Sequence, residues 1–227
     1  MVATHLAAPF FSLYMLRDLG FNYVAFTAAA TAMVLAQVLV LRSWGRLADR
    51  FGSRRILAVC GLVVSLTPWL WLISPRLEAV LCYQVVSGVG WAGFNLAAAN
   101  FLFDSVSPPK RARCVAYSSI LTHAGVLAGA LLGGVLAPLV PQRIALGGWE
   151  LELRSPLLVL FALSGALRLA VSLYYLPRIR EVRPGVEPST HWQVIYHVTG
   201  LAAIRGLRFS IFTGNGGPAR TQNHHSA

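Results

Sequence analysis

The sequence predicts an all-α fold: a polytopic membrane helical bundle of about six transmembrane helices. Three observations carry that reading. Of the 227 residues, 56% are hydrophobic and 12% charged, about half the charged share of a soluble domain, so most of the surface must face something other than water. Five apolar runs are long enough to cross a hydrocarbon core about 30 Å thick, which takes about 20 helical residues. The basic residues behind the net charge of +11 sit in short clusters between those runs. That placement excludes the nucleic-acid partner that the charge alone would suggest.

Taken in order, Met1–Leu16 is short and apolar. No Lys or Arg precedes its apolar stretch and no small-residue cleavage site follows it, so it reads as a spanning helix whose start is clipped close to Met1, not as a signal peptide. Tyr23–Leu41, Ile56–Ser74, Ala79–Phe103 and Cys114–Pro141 contain no Asp, Glu, Lys or Arg, and Pro156–Pro177 contains one, Arg168. In hydrocarbon every backbone N–H and C=O must be satisfied within the segment, so each run is expected to be helical.

The connections set the orientation. Arg42, Arg46, Arg50, Arg54 and Arg55 follow the second helix, Lys110, Arg111 and Arg113 the fourth, and Arg178, Arg180 and Arg183 the sixth. The alternate connections hold Arg17, Arg76, Arg143 and Arg154, the last two beside Glu150 and Glu152. Eleven basic residues against four put the rich side in the cytoplasm, with both termini there. Residues 1–183 thus form the membrane domain, and 184–227 a cytoplasmic tail opened by Pro184, Gly185 and Pro188. Within the tail, His191–Phe212 can lie on the membrane as an interfacial helix, and Gly214–Ala227 is expected to be disordered.

Cys60, Cys82 and Cys114 show no paired spacing and are expected to be small hydrophobes between helices, not a disulfide or zinc set. The six histidines show no HExxH or Cys/His pattern, so neither metal nor cofactor is expected. A membrane enzyme would need a convergent nucleophile, metal set or carboxylate pair, and no such set is visible.

After the second helix the sequence reads Gly45-Arg46-Leu47-Ala48-Asp49-Arg50-Phe51-Gly52-Ser53-Arg54-Arg55. Gly45 is expected to permit close helix approach and Gly52 a tight turn. Asp49 can accept hydrogen bonds at a helix N-terminus. Arg50 and Arg54 can pair with Asp104 at the cytoplasmic end of the fourth helix. This run resembles the G-x-L-x-D-R-x-G-x-R-R signature of the major facilitator superfamily of secondary transporters. The resemblance runs from about Pro9 to Arg183 and is closer to the seventh to twelfth helices of uncharacterised bacterial members. The stretches Gly88–Leu96 and Asn100–Asp104 are similar to their tenth helix, and the Gly125, Gly129, Gly133, Gly134 pattern to their eleventh. It implies a transporter of small solutes in the bacterial-type inner (plasma) membrane, with a conformational-gating motif of Gly45, Arg46, Leu47, Asp49, Arg50, Gly52, Arg54, Arg55 and Asp104. Members have about twelve helices in two halves and this chain about six. It is therefore either a fragment or needs a second six-helix half, from another chain or as a homodimer. The alternative is a truncated membrane protein or scaffold that moves no solute.

The same resemblance makes the first, second, fourth and fifth helices cavity-lining. On the fourth, Gln84, Ser87, Trp91 and Asn95 recur at intervals of three and four and share one face. Such a stripe faces either a substrate cavity or another helix through hydrogen bonds. Gln37, Tyr14 and His123 are further cavity candidates; His123 stands one turn from Ser119 and could equally be a packing residue. Gly125, Gly129 and Gly133 make a small-xxx-small face for tight helix crossing. Arg168, on the supporting sixth helix, is expected to reach toward the cytoplasmic headgroups. Asp18, Asp49, Glu78 and Asp104 all stand at helix ends, so no carboxylate relay is expected within the spans.

Overall fold

The computed structural model describes residues 1–140, 143–146, 149–152 and 155–179. The boundary at 183/184, the interfacial stretch and the terminal tail lie outside the described residues. Among the described residues, five helices are long and apolar enough to cross a membrane. They are α3 (Tyr23–Phe51), α4 (Ser53–Leu70), α5 (Leu77–Ser105), α6 (Arg111–Leu136) and α7 (Leu157–Tyr175), corresponding to the second to sixth runs.

The first run is not one continuous helix. Its ladder is interrupted at Leu6 and Ala7, giving α1 (Val2–His5) and α2 (Ala8–Leu13). Pro9 has no N–H to offer the His5 carbonyl, and Ala7 N–H turns back to the Thr4 carbonyl at 3.4 Å. A π-helical turn, Tyr14–Asp18, continues α2, with Leu19 N–H donating to the Tyr14 carbonyl at 2.9 Å. Hydropathy reads only the apolarity of this stretch, so it could not distinguish one helix from three pieces.

The arginine-rich loop expected after Leu41 is also absent as a loop. α3 has 29 residues, about 43 Å at 1.5 Å per residue, and so outruns a hydrocarbon core about 30 Å thick by about two and a half turns. Hydropathy marks where the lipid ends; the backbone ladder continues because its hydrogen bonds are internal. The chain reverses at a single residue, Gly52, with φ 83° and ψ 150°, a region that side-chain-bearing residues avoid. Ser53 already starts α4.

One departure from an all-helix chain stands between α6 and α7. β1 (Arg143–Leu146) and β2 (Trp149–Glu152) pair antiparallel, with Arg143 opposite Glu152 and Leu146 opposite Trp149.

α5 is the hub of the bundle, packed against both α3 and α4. Three glycines open its surface. A Cβ at Gly88 would meet the Met33 carbonyl and Ala36, at Gly90 Val63 Cγ1 at 2.9 Å, and at Gly93 the Trp44 ring at 2.8 Å. Small residues matter here because lipid tails are as apolar as side chains, so helices associate through close van der Waals contact. α7 packs on α4 and α1, and α6 on α1. Tyr14, Trp71, Tyr83 and Phe161 form a buried cluster with Phe11 against it. The Phe11 and Phe161 rings stack at 4.2 Å, and Tyr14 meets Phe161 edge-on at 5.6 Å. Ring pairs of this kind add about 0.5–1.5 kcal/mol each.

Two expectations are corrected here. Arg168 does not reach for headgroups: it is 7% exposed and donates to the carbonyls of Thr4 at 3.0 Å and Val64 at 3.3 Å. Of the cysteines, Cys60 is buried and Cys114 partly so, but Cys82, on α5, is exposed.

Candidate functional site

The gating motif lies on the last turns of α3 and the first turn of α4. Met33 and Ala36 of α3 face Gly88, while Trp44 faces Gly93, so α3 and α5 run parallel and end on the same side. Asp49, Arg50 and Asp104 therefore stand at one end of the bundle. Arg50 lies over the Phe51 ring, 5.2 Å from its centre, and Arg55 donates to the Phe51 carbonyl at 3.3 Å. Arg42, Arg46 and Arg50, spaced by four on α3, are exposed, as is Asp49, while Leu47 is half-buried and Ala48 fully buried.

Gly45 does not make the close approach expected of it, because a Cβ there would meet nothing within 4 Å. The approach is made one residue earlier. Trp44 is 3% exposed, lays its ring over Gly93 and donates its indole N–H to the Val89 carbonyl at 3.0 Å. A glycine at 93 leaves room for the ring and access to that carbonyl. The sequence signal was present: a tryptophan inside a buried turn needs an acceptor for its N–H.

The α5 stripe runs from covered to open. Ser87 is buried, Gln84 and Trp91 are half-buried, and Asn95 is exposed. Trp91 meets Phe94 edge-on at 5.7 Å. On α6, His123 is exposed and its Nδ1 hydrogen-bonds the Ser119 carbonyl one turn back at 2.7 Å. Ser118 and Ser119 are exposed beside it. Gln37 on α3 is half-buried. Tyr14 is not a cavity residue in this bundle: at 2% exposure it belongs to the aromatic cluster, because the π turn aims it between Trp71 and Phe161. Asp18, Asp49, Glu78 and Asp104 do stand in terminal turns of their helical segments. Among the described residues no group of His, Cys, Asp or Glu could hold a metal ion.

At the opposite end is a cluster that the sequence reading did not assemble. Asp18, in the π turn, pairs with Arg17 at 2.6 Å and accepts a hydrogen bond from the buried Ser155 hydroxyl. Ser155 in turn accepts from the Leu157 N–H at 3.1 Å, capping α7. These residues, with Phe10, Leu13 and Pro138, line a cavity of about 650 Å³. Burial by itself pushes the Asp18 carboxyl up, and the hydrogen bonds from Arg17 and Ser155 together with the Arg17 charge outweigh it, leaving the group below the ordinary carboxylate value. A depressed value means stability that is present above the unfolded carboxylate range, about pH 4, and lost as pH falls through the lower folded value. The melting temperature in detergent is therefore expected to fall as the pH drops below about 4, and Asp18→Asn to remove that part of the fall. An unchanged acid limb in the variant would detach the clasp from stability.

A family model described as the Major Facilitator Superfamily matches residues 1–217. Among curated proteins, the "Multidrug export protein EmrB" of Haemophilus influenzae is 27% identical over 117 residues, 52% of this chain and 23% of that protein. The "Quinolone resistance protein NorA" of Staphylococcus aureus strain MRSA252 is 25% identical over 133 residues, 58% of this chain and 34% of that protein. The matched stretch thus spans about a quarter to a third of each relative's length.

Proposed function

This chain belongs to the Major Facilitator Superfamily, and from that premise we propose that it supplies one six-helix half of a secondary transporter, moving small solutes across the plasma membrane by alternating access. The chain is a multi-pass membrane protein of a transporter family; the pairing of halves, the mechanism and the solute are the proposal. Transport of this kind needs no bond-making chemistry from the protein. The observation that carries it is the set of polar groups left uncovered inside the spans: Asn95 on α5 and Ser118, Ser119 and His123 on α6. A polar side chain facing lipid is costly, whereas the same groups facing a water-filled path between two bundles are solvated.

The half that completes the path meets α3 and α6. These two helices are the least covered, with 11% of their apolar windows buried against 50% in α4. Along α3, Thr27, Ala28, Thr31 and Ala32 form the floor of a groove flanked by Tyr23, Val24 and Leu35. Small residues at that spacing admit a helix backbone more closely than a lipid tail needs. The bundle is read as the counterpart of a C-terminal half, with both termini cytoplasmic on the eleven-to-four bias of basic residues. Asp49, Arg50, Arg54 and Asp104 then form the cytoplasmic latch that alternates between closed and open.

The relatives' names make drug-like aromatic solutes the first to try, and Trp91 offers such a solute a ring. In inside-out vesicles from cells expressing the chain, energised uptake of a fluorescent quinolone is expected to exceed that of control vesicles. Trp91→Ala and Asn95→Ala are each expected to lower it about tenfold, the loss of about 1.4 kcal/mol of contact energy. Uptake equal to controls for quinolones and for a panel of other amphipathic solutes would instead favour a truncated protein or scaffold that moves no solute.

A further inference from the structure

Arg168 occupies a place where an apolar side chain of similar size would cost nothing in desolvation. It is 7% exposed on α7, both of its hydrogen bonds go to backbone carbonyls, and its Nε is buried without an acceptor. The two carbonyls have one thing in common. Val64 stands four residues before Pro68, which lies inside α4 and has no N–H to return to it. Thr4 stands at the break of the first helix, where the Ala7 N–H approaches its carbonyl only at a long 3.4 Å. One turn earlier on α7, the Ser164 hydroxyl donates to the Ala3 carbonyl at 2.6 Å. Ala3 is the acceptor that Ala7 abandons when it bonds Thr4 instead. Ser164 is fully buried.

We infer that Arg168, with Ser164 one turn before it, is a positioning residue: it pins the interrupted first helix to α7 and α4 by supplying donors to carbonyls whose regular helical donors a proline and a helix break have removed or displaced. Backbone carbonyls stranded in a bilayer are strongly unfavourable, so the pin fixes α1 and the turn of α4 before Pro68 together. The flat guanidinium reaches two acceptors on two helices at once, which a lysine ammonium on its flexible stem does poorly. The break between α1 and α2 then becomes the point where the first helix bends while α1 stays attached to α7. That last consequence rests on the transport reading; the pin itself does not.

Hydrogen exchange on the full chain in nanodiscs tests it. In Arg168→Met the amides of Leu6, Ala7, Ala8 and Phe10 are expected to exchange roughly tenfold faster or more, the loss of one charge-assisted bond, with a smaller rise in Arg168→Lys. The decisive arm is Pro68→Ala, which gives the Val64 carbonyl a backbone donor. In that background Arg168→Met is expected to lower the melting temperature clearly less than it does alone, a rescue that lost packing volume would not produce. Should Arg168→Met fail to fold, Arg168→Lys with and without Pro68→Ala carries the same comparison. Unchanged exchange at those amides, or equal cost in both backgrounds, overturns the pin. An unmodified chain that shows the exchange pattern but moves no solute in any partnered form counts against the transport reading alone.

Discussion

Gly133→Leu is expected to detach the first helix from α6, and Gly125→Ala to leave it in place, although both glycines belong to one repeating pattern. A Cβ at Gly133 would run into the Leu6 carbonyl and lie 2.8 Å from Phe10 Cε2, and at Gly129 it would meet the Val2 carbonyl and lie 3.0 Å from the His5 Cβ. A backbone carbonyl cannot step aside as a side-chain tip can, so the helices must separate. At Gly125 the nearest atom is the Met1 Cβ at 3.1 Å, then Val2 N at 3.5 Å, contacts that a few tenths of an ångström relieve. Overpacking of this kind costs about 1–3 kcal/mol for one added group, and a whole leucine side chain at Gly133 falls at or beyond the upper end. The check is the melting temperature in detergent together with amide exchange over α1 and α2. A large fall with lost protection is expected for Gly133→Leu, and values close to the unmodified chain for Gly125→Ala. Equal effects at the two sites would mean that the glycine face of α6 does not seat the first helix.

Gly52→Ala carries the second large effect. At φ 83° and ψ 150° the residue sits in a region open essentially to glycine alone, and strain there is of order 1–3 kcal/mol. No neighbouring loop residue can absorb it, because Phe51 ends α3 and Ser53 begins α4. The expected result is a loss of folded protein in the membrane and of thermal stability. Gly45→Ala is the control with the opposite sign. Gly45 lies in the same motif, but it is helical and a Cβ there meets nothing within 4 Å. Alanine at that place is expected to be neutral or to stabilise by up to about 1 kcal/mol through helix propensity. The two substitutions separate the mechanical glycine of the motif from one whose added Cβ would touch no neighbour in this bundle. A costly Gly45→Ala would point to a second bundle packing on that face.

Much of this architecture was legible from composition and period alone. The spans from α3 to α7 follow from run length, and the turn at Gly52 and the crossing face of Gly125, Gly129 and Gly133 follow from residue type. The features that were not legible depend on partners far along the chain. Arg168 bonds carbonyls 104 and 164 residues away, and nothing local reports that Pro68 and the first-helix break have freed acceptors there. Trp44 makes the close contact rather than Gly45, and nothing local reports this because its acceptor, the Val89 carbonyl, lies on another helix. Tyr14 lies in the aromatic cluster with Trp71 and Phe161, partners contributed from far along the chain. Hydropathy also hid the last turns of α3, since helix and lipid end at different places.

A photo-crosslinking residue placed at Thr31, in the open groove of α3, asks most directly whether another bundle covers this face. Illuminated in native membranes, it is expected to give a product joined to a helix of a second six-helix domain, mapped by mass spectrometry to another copy or to a separate chain. Adducts to lipid alone at Thr31, repeated at the exposed Ile120 of α6, would leave both faces in the bilayer and contradict the half-transporter account.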